Sequence, residues 1–197
     1  MLPGTLPGPP SGRLPGTLPG PLPGTTVGLE YEAALQATGG KGTLTHSAEG
    51  LPEGLEMAAD GLITGVATEA GDFTITLTVR DEADQSQTKD FPLEVSPAPR
   101  FTTSSVPGAT ASSPYVATFE VSGGKAPVQF AQQGGELPTG LSFNAATATL
   151  AGTPSEEGTF VFTLRATDAN GARVDQQFTL EVAPPLELLT TSLPNGN

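Results

Sequence analysis

Two stretches of this chain alternate apolar and polar residues with a period of two. In each stretch four side chains facing one way are apolar: Phe73, Ile75, Leu77 and Val79 in the first, and Phe160, Phe162, Leu164 and Ala166 in the second. β-Branched and aromatic residues in this alternation are typical of a strand with one buried face. A polar turn and a second alternating stretch follow each one, so we predict two β-hairpins.

The pattern around these hairpins also occurs twice. Leu51-Pro52-Glu53-Gly54-Leu55 reappears as Leu137-Pro138-Thr139-Gly140-Leu141, and an alternating segment that begins at Tyr31 reappears at Tyr115. The offset is 84 residues at the tyrosines, 86 at these turns and 87 in the hairpins, so the insertions fall between the predicted strands. About seven short strands with turns between them, present twice, predict an all-β protein of two tandem Greek-key β-sandwiches.

The predicted domain boundaries lie at two Pro-rich segments and at the start of a partial third repeat. Residues 1–22 contain repeated Leu-Pro-Gly and are predicted to be a disordered linker, because such a tract favours polyproline II and turns. The two sandwiches are predicted at residues 23–96 and 97–184, with a stiff connection at Ser96-Pro97-Ala98-Pro99. Residues 185–197 repeat the start of the second sandwich, so we interpret them as the start of a truncated third repeat or a tail.

Composition narrows the classes of function. The 25 glycines and 20 prolines leave little uninterrupted sequence for helices, and the absence of cysteine excludes disulfides and thiolate metal sites. A formal net charge of -13 disfavours nucleic acid as a partner. The sequence has no apolar run of the roughly 20 residues that span a bilayer and no signal peptide, so we expect any export signal or anchor to lie outside it.

Acidic residues in the predicted hairpin turns are the candidate metal ligands. A calcium ion takes several oxygen ligands from neighbouring loops, and such oxygens are offered by Asp81 and Asp84 in one unit and by Asp168, Asn170 and Asp175 in the other. The alternative is that the side chains of Asp168 and Asn170 accept hydrogen bonds from backbone amides of their own turn. Calcium is therefore a hypothesis, and we predict no other cofactor.

Catalytic chemistry has little support in the residues. His46 is the only histidine and the chain has no cysteine, so a catalytic triad or a zinc site lacks partners. Glu156 and Glu157 are adjacent and point different ways, unlike the opposed carboxylates of a glycosidase. We predict that the protein is not an enzyme and name no catalytic residue.

The repeated elements resemble a known family, the Ig-like repeats also called cadherin-like or dystroglycan-type, which occur in tandem on bacterial surface and secreted proteins. The residues that carry the resemblance are the Tyr115 strand ending in Gly123-Gly124, the segment 137–143, Gly152-Thr153-Pro154, Gly158-Thr159-Phe160 and Asp168-Ala169-Asn170-Gly171. The first unit departs from this pattern at Gly65-Val66-Ala67 and Ala83-Asp84. The resemblance implies an extracellular or cell-surface tandem sandwich that acts as a stalk or adhesive module without catalytic residues.

Two functions follow as hypotheses. The first is a stalk, spacer or adhesion module of a cell-surface or secreted protein, with neighbouring repeats of the same chain and a cell-surface protein or glycan as partners. The alternative is an accessory carbohydrate-binding module of a secreted hydrolase. Sugars stack on exposed aromatic rings, and a chain with no tryptophan and two tyrosines offers few of them. Because Tyr31 and Tyr115 occupy equivalent positions, we expect them to pack in the core or at a corner.

Overall fold

The structure, a computed structural model, describes residues 21–187, and within that range it contains sixteen β-strands and no helix. No helix in this range is therefore long and apolar enough to cross a bilayer. The chain divides between Ala98 and Pro99 into two compact units, which we call unit 1 and unit 2. The all-β prediction is confirmed. The predicted linker and tail lie almost wholly outside the described residues and stay predictions.

Unit 1 is built from two sheets. Its strands are β1 (Thr25–Thr26), β2 (Glu30–Ala34), β3 (Thr45–Glu49), β4 (Leu55–Met57), β5 (Leu62–Val66), β6 (Gly71–Arg80) and β7 (Ser86–Ser96). One sheet has the order β1-β7-β6-β3 and the other the order β2-β5-β4. β1 is parallel to β7, and all other pairs are antiparallel.

Unit 2 repeats both sheets and adds one short ladder. Its strands are β8 (Arg100–Phe101), β9 (Ala109–Thr110), β10 (Tyr115–Thr118), β11 (Val121–Ser122), β12 (Gln129–Gly135), β13 (Leu141–Asn144), β14 (Thr149–Gly152), β15 (Gly158–Thr167) and β16 (Arg173–Ala183). The sheets have the orders β12-β15-β16-β9 and β10-β14-β13, and β11 pairs with β8. β9 runs parallel to β16, as β1 does to β7.

The alternating apolar residues form the two cores, as the sequence predicts. The buried residues of the unit 1 core are Tyr31, Leu55, Ile63, Ala67, Ile75, Leu77, Phe91, Leu93 and Val95. In unit 2 the ring of Phe119 lies 4.8 Å from that of Phe178 and 6.2 Å from that of Phe162, both edge-on. Gln176 is a half-buried polar residue of β16, and its Nε2 donates to Thr103 O at 3.2 Å.

The segment beginning at Tyr115 differs from the single strand that its alternation predicts. It is interrupted between β10 and β11 because the two halves pair with different partners, β14 and β8. At the interruption Phe119 N donates to Ala148 O and Glu120 N donates to the Thr103 hydroxyl, each at about the usual hydrogen-bond length. Alternation of burial continues through this change, so side-chain periodicity does not reveal it.

The repeated Leu-Pro-x-Gly-Leu turn is explained by a close approach of two backbones. Gly140 and Gly152 have φ of 94° and 142°, and Gly140 O occupies the place where a Cβ on Gly152 would lie. Thr153 N donates to Gly140 O at 3.0 Å, which holds the two segments together. Gly54 and Gly65 repeat this contact in unit 1. The turn therefore recurs because β13 and β14, like β4 and β5, must meet without side chains between them.

We predict that Gly152→Ala destabilises unit 2 by about 3 kcal/mol or more, since the new methyl group overlaps a backbone oxygen that cannot rotate away. Gly134→Ala is the matched control, because Gly134 has no heavy atom within 4 Å of an added Cβ. We expect that control to unfold at nearly the wild-type temperature. Calorimetric unfolding of the full chain measures both variants, and similar losses in the two would contradict the close-approach explanation.

Candidate functional site

A buried aspartate ends the long strand β6 in unit 1. Asp81 is 8% exposed, and its Oδ1 accepts hydrogen bonds from the backbone N–H groups of Ala83 and Gln85, both at 2.9 Å. Its Oδ2 accepts a third from Lys41 N at 2.9 Å, although Lys41 lies 40 residues earlier in the chain. The carboxylate thus joins the β6–β7 turn to the loop between β2 and β3. Charge-assisted bonds of this kind are stronger than neutral ones.

Asp168 makes the same arrangement at the end of β15 in unit 2. It is 5% exposed, and its Oδ1 accepts from Asn170 N at 3.0 Å and from Ala172 N at 2.8 Å. Its Oδ2 accepts from Lys125 N at 2.9 Å. We call each arrangement an aspartate clamp, meaning Asp81 with its three amides and Asp168 with its three amides. The alternative considered for Asp168, a carboxylate that accepts hydrogen bonds from backbone amides of its own turn, agrees with these contacts.

The glycines that precede each clamp loop allow it to close. A Cβ on Gly124 would stand 2.9 Å from the Cβ of Asp168, and one on Gly40 would stand 3.0 Å from that of Asp81. The first distance is shorter than real Cβ contacts and the second is at that limit, so an added Cβ would force a neighbouring atom to move. Gly40 and Gly124 therefore let the backbone pass over the buried aspartate.

The turn that each clamp holds contains four residues. Gly171 N donates to Asp168 O at 3.1 Å, and of the turn residues Asp168 to Gly171 the one with positive φ is Gly171, at 93°. Asn170, the residue before it, does not have positive φ. In unit 1 the equivalent of Gly171 is Asp84, with φ of 59°.

The five predicted metal ligands are distributed over four separate arrangements, two in each unit. Asp81 belongs to the clamp of unit 1, Asp168 and Asn170 belong to the clamp turn of unit 2, and the other two lie in ion pairs. Asp84 Oδ1 is 3.3 Å from the guanidinium of Arg80, and Asp175 pairs with Arg165. Across residues 21–187 no group of three or more His, Asp and Glu side chains is arranged to hold a metal ion. Calcium binding stays a prediction, to be tested by calorimetric titration.

Hydrogen bonding lowers the pKa of three carboxyl groups. The pKa of Asp81 lies below its ordinary value chiefly because of the hydrogen bonds from Lys41 N and Gln85 N. The pKa of Glu156 is lowered by the Thr139 backbone N–H, which donates to Oε1 at 2.6 Å. The pKa of Asp175 is lowered by its hydrogen bonds from Arg165. All three groups therefore favour the charged form in the folded protein.

The remaining candidates from the sequence have packing roles. Tyr115 donates its hydroxyl to Pro107 O at 2.9 Å, and Tyr31 is 6% exposed in the core of unit 1. Burial raises the pKa of Tyr31 to about 12 and also raises that of Tyr115. His46 Nδ1 lies 3.1 Å from Ala59 O. The expectation that both tyrosines pack in the core or at a corner agrees with these contacts.

Sequence reasoning missed the partner of each aspartate that is distant in sequence, the backbone N–H of Lys41 or Lys125. Lys125 contributes its backbone N–H, and any residue type other than proline carries that group. The available signal was positional, because Lys125 and Lys41 both follow a Gly-Gly pair and precede an aspartate at nearly the same distance. That signal identifies a repeated contact without identifying which atoms make it.

We predict that Asp168→Ala lowers the stability of unit 2 by about 2 kcal/mol or more, because three backbone N–H groups lose a charged acceptor. Calorimetry of the full chain should show the unit 2 transition at a lower temperature and the unit 1 transition unchanged, with Asp81→Ala giving the converse. Glu157→Ala removes an exposed carboxylate of unit 2 and is the control, for which we expect little change. Equal losses of unit 2 stability in Asp168→Ala and Glu157→Ala would show that the clamp contributes no more stability than an exposed carboxylate does.

Acid should destabilise the protein through the same carboxylates. A group whose pKa is lowered by folding stabilises the native state fully above its unfolded pKa, about 3.9 for Asp, and loses that contribution as the pH falls through the folded pKa. For Asp81 the loss is therefore expected below about pH 4. Melting temperatures at pH 6 and pH 3 measure this loss. Asp81→Asn should make the melting temperature of unit 1 less dependent on pH and leave the pH dependence of unit 2 unchanged. An unchanged pH dependence in the variant would contradict this assignment.

Known proteins resemble this chain in sequence over most of its length. The family described as "Putative Ig domain" matches residues 9–96 and 98–183. The "Serine-rich adhesin for platelets" of Staphylococcus aureus is 33% identical over 150 residues, which cover 73% of this chain and 6% of the adhesin. The adhesin of strain MRSA252 is 34% identical over 150 residues, covering 73% and 11%. The chain thus spans a small part of the length of these relatives.

Two solved structures align with part of this chain at low sequence identity. The titin I-band fragment I67–I69 has a TM-score of 0.48 and 15% identity, covering 82% of this chain and 62% of that fragment. Extracellular cadherin domains 1–5 of Protocadherin Gamma B2 have a TM-score of 0.38 and 15% identity, covering 77% and 35%. The two matches to the family model along the sequence show that the chain belongs to the "Putative Ig domain" family and carries two copies of that domain.

Proposed function

We propose that this chain is a non-catalytic tandem module that carries tension as a stalk or spacer within a larger cell-surface or secreted adhesive protein. The observation that carries the proposal is that, in each unit, a strand near the start of the sequence pairs in parallel with the last strand. In unit 1 Thr25 and Thr26 of β1 lie beside Val95 and Ser96 of β7, the last strand. In unit 2 β9 lies beside the last strand β16 in the same way.

Parallel end strands resist a pull along the chain. Tension draws β1 towards the N-terminus and β7 towards the C-terminus, so the two strands must slide past each other. Their hydrogen bonds lie across the direction of sliding and share the load, whereas bonds between antiparallel ends would break one after another. Val27 N donates to Ser96 O and Ala111 N donates to Ala183 O, both at 2.9 Å, which lengthens each parallel pair.

Other observations agree with a structural role. The acidic groups repeated in both units, Asp81 and Asp168, are occupied by backbone amides and so serve the fold. The related adhesins are much longer than the segment they share with this chain, as expected for a module repeated within a larger protein. In this role the partners are neighbouring repeats and, through the whole protein, a cell-surface protein or glycan. The net charge of -13 favours solubility outside the cell.

Force spectroscopy on the full chain held at its two ends tests the proposal. Ala111→Pro removes the N–H that bonds to Ala183 O, and we expect unit 2 to unfold about fivefold to tenfold faster at constant force, as for loss of a bond of ~1 kcal/mol. Val27→Pro should act likewise on unit 1, where it removes the bond to Ser96 O.

Ala169→Pro is the matched control for that experiment. It also removes one backbone hydrogen bond, from Ala169 N to Lys125 O, but Ala169 is the second residue of the four-residue turn, where proline is favoured. We expect its unfolding rate under force to stay near that of the wild type. Equal acceleration by Ala169→Pro, or units that extend without a measurable unfolding step, would argue against a tension-carrying role.

A further inference from the structure

The outward face of the β12-β15-β16 sheet carries two arginines at diagonal positions on neighbouring strands. Arg165 on β15 lies opposite Asp175 on β16, and Arg173 on β16 lies opposite Thr167 on β15. Residues diagonal to each other on neighbouring strands are about 7 to 8 Å apart at Cα, within reach of long side chains. A chain with 8 basic and 21 acidic residues thus places two arginines and one aspartate together on a single face.

Arg165 is held in a fixed orientation by Asp175. Its Nε and Nη2 donate to the two carboxylate oxygens, both at 2.6 Å, in the two-point geometry that a guanidinium and a carboxylate share. The side chain is 30% exposed. A guanidinium has five N–H donors, so this pair leaves the donors on the far side of the group available to a ligand. Asp175 neutralises one arginine and Arg173 adds a further positive charge.

The neighbouring strand β12 places small residues opposite Arg165 and Thr163. Ala131 lies opposite Arg165 and Gly134 lies opposite Thr163, so both outward positions lack a long side chain. A Cβ on Gly134 would meet no heavy atom within 4 Å. The amides of Gln129 and Gln177 lie in the adjoining rows of the same face. We call this set the arginine face: Arg165, Arg173, Asp175, Gln129, Gln177, Thr163 and Thr167.

Unit 1 shows that the fold does not require these side chains. Thr78 and Thr88 occupy the positions of Arg165 and Asp175, with their hydroxyl oxygens 3.0 Å apart. Asp90 stands where unit 2 has Gln177, and it accepts from the Thr76 hydroxyl at 2.8 Å. Both units keep the same strand register in this hairpin while their outward charges differ. The arginine face is therefore a property of unit 2 that β-sandwich formation leaves unexplained.

We propose that the arginine face binds a carboxylate-bearing saccharide of the uronate class. The two guanidinium groups would take the sugar carboxylate, and the amides and hydroxyls around them would bond the ring hydroxyls. A peptide partner is less well matched, because every member of the face is polar or charged and the exposed apolar residue Val161 lies two rows from Arg165. This binding is an addition to the tension-carrying role and does not depend on it.

Titration of the isotope-labelled full chain with an α-1,4-linked galacturonate tetramer at low ionic strength tests the proposal. Amide NMR signals of β12, β15 and β16 should shift, while those of β3, β6 and β7 in unit 1 should not. The same tetramer with its carboxyl groups methyl-esterified is the ligand control, and we expect it to bind at least about fivefold more weakly, as for loss of a charge-assisted bond.

Two arginine variants give the matched protein controls. Arg173→Gln should weaken binding about fivefold, whereas Arg80→Gln, which removes the same charge from the corresponding face of unit 1, should change it less than about twofold. Arg165→Lys keeps the charge but loses the two-point geometry, so we expect weaker binding than wild type. Unchanged NMR signals outside the arginine face would establish that each variant is folded.

Several outcomes would overturn the proposal. Equal weakening by Arg80→Gln and Arg173→Gln, or shifts spread over both units, would indicate general attraction to charge. Equal binding of the esterified tetramer would show that the protein does not recognise the sugar carboxylate. An equal response to a tetraglutamate peptide would assign the face to carboxylates in general and reject a saccharide site. Absence of any shift at millimolar ligand would reject the site altogether.

Discussion

A single buried carboxylate in each unit joins two loops that are distant in sequence. Asp168 accepts bonds from its own turn and from Lys125, across 43 residues, so one side chain fixes both the last hairpin and the loop that enters β12. Neither loop has an apolar core of its own. The charge is stable in a buried position because three backbone donors replace the water that it would otherwise bind. In each unit the fold therefore uses a buried carboxylate to hold two loops together.

The parts of the structure that sequence could predict are those governed by side-chain periodicity. The alternation around Ile75 and Leu164 identified the buried face of each hairpin correctly, because burial and a period of two are linked by strand geometry. The glycine turns were also identified, since proline and glycine restrict or permit particular backbone angles. The break in the Tyr115 segment was not, because a change of pairing partner leaves the alternation intact.

The arginine pair shows why exposed sites are harder to predict. Whether Arg165 faces Asp175 depends on the strand register, and the register depends on the length of the turn at Asp168. A two-residue loop of Asn170 and Gly171 would place Gln176 opposite Arg165 and move Asp175 to the other face. The observed four-residue turn, stabilised by the aspartate clamp, selects the register that brings the two charges together. A contact inside the turn thus influences which side chains meet on the adjoining sheet face.

The pairing of β1 with β7 also determines when a unit can finish folding. Thr25 can pair with Val95 only after the other end of the unit is present. The central strands can therefore associate before this last contact completes the sheet. Contacts between residues so far apart in sequence slow folding, and the loop must close before the contact contributes stability. A chain that is synthesised or exported from its N-terminus therefore completes its units one at a time. Each unit stays incomplete until its final strand has emerged.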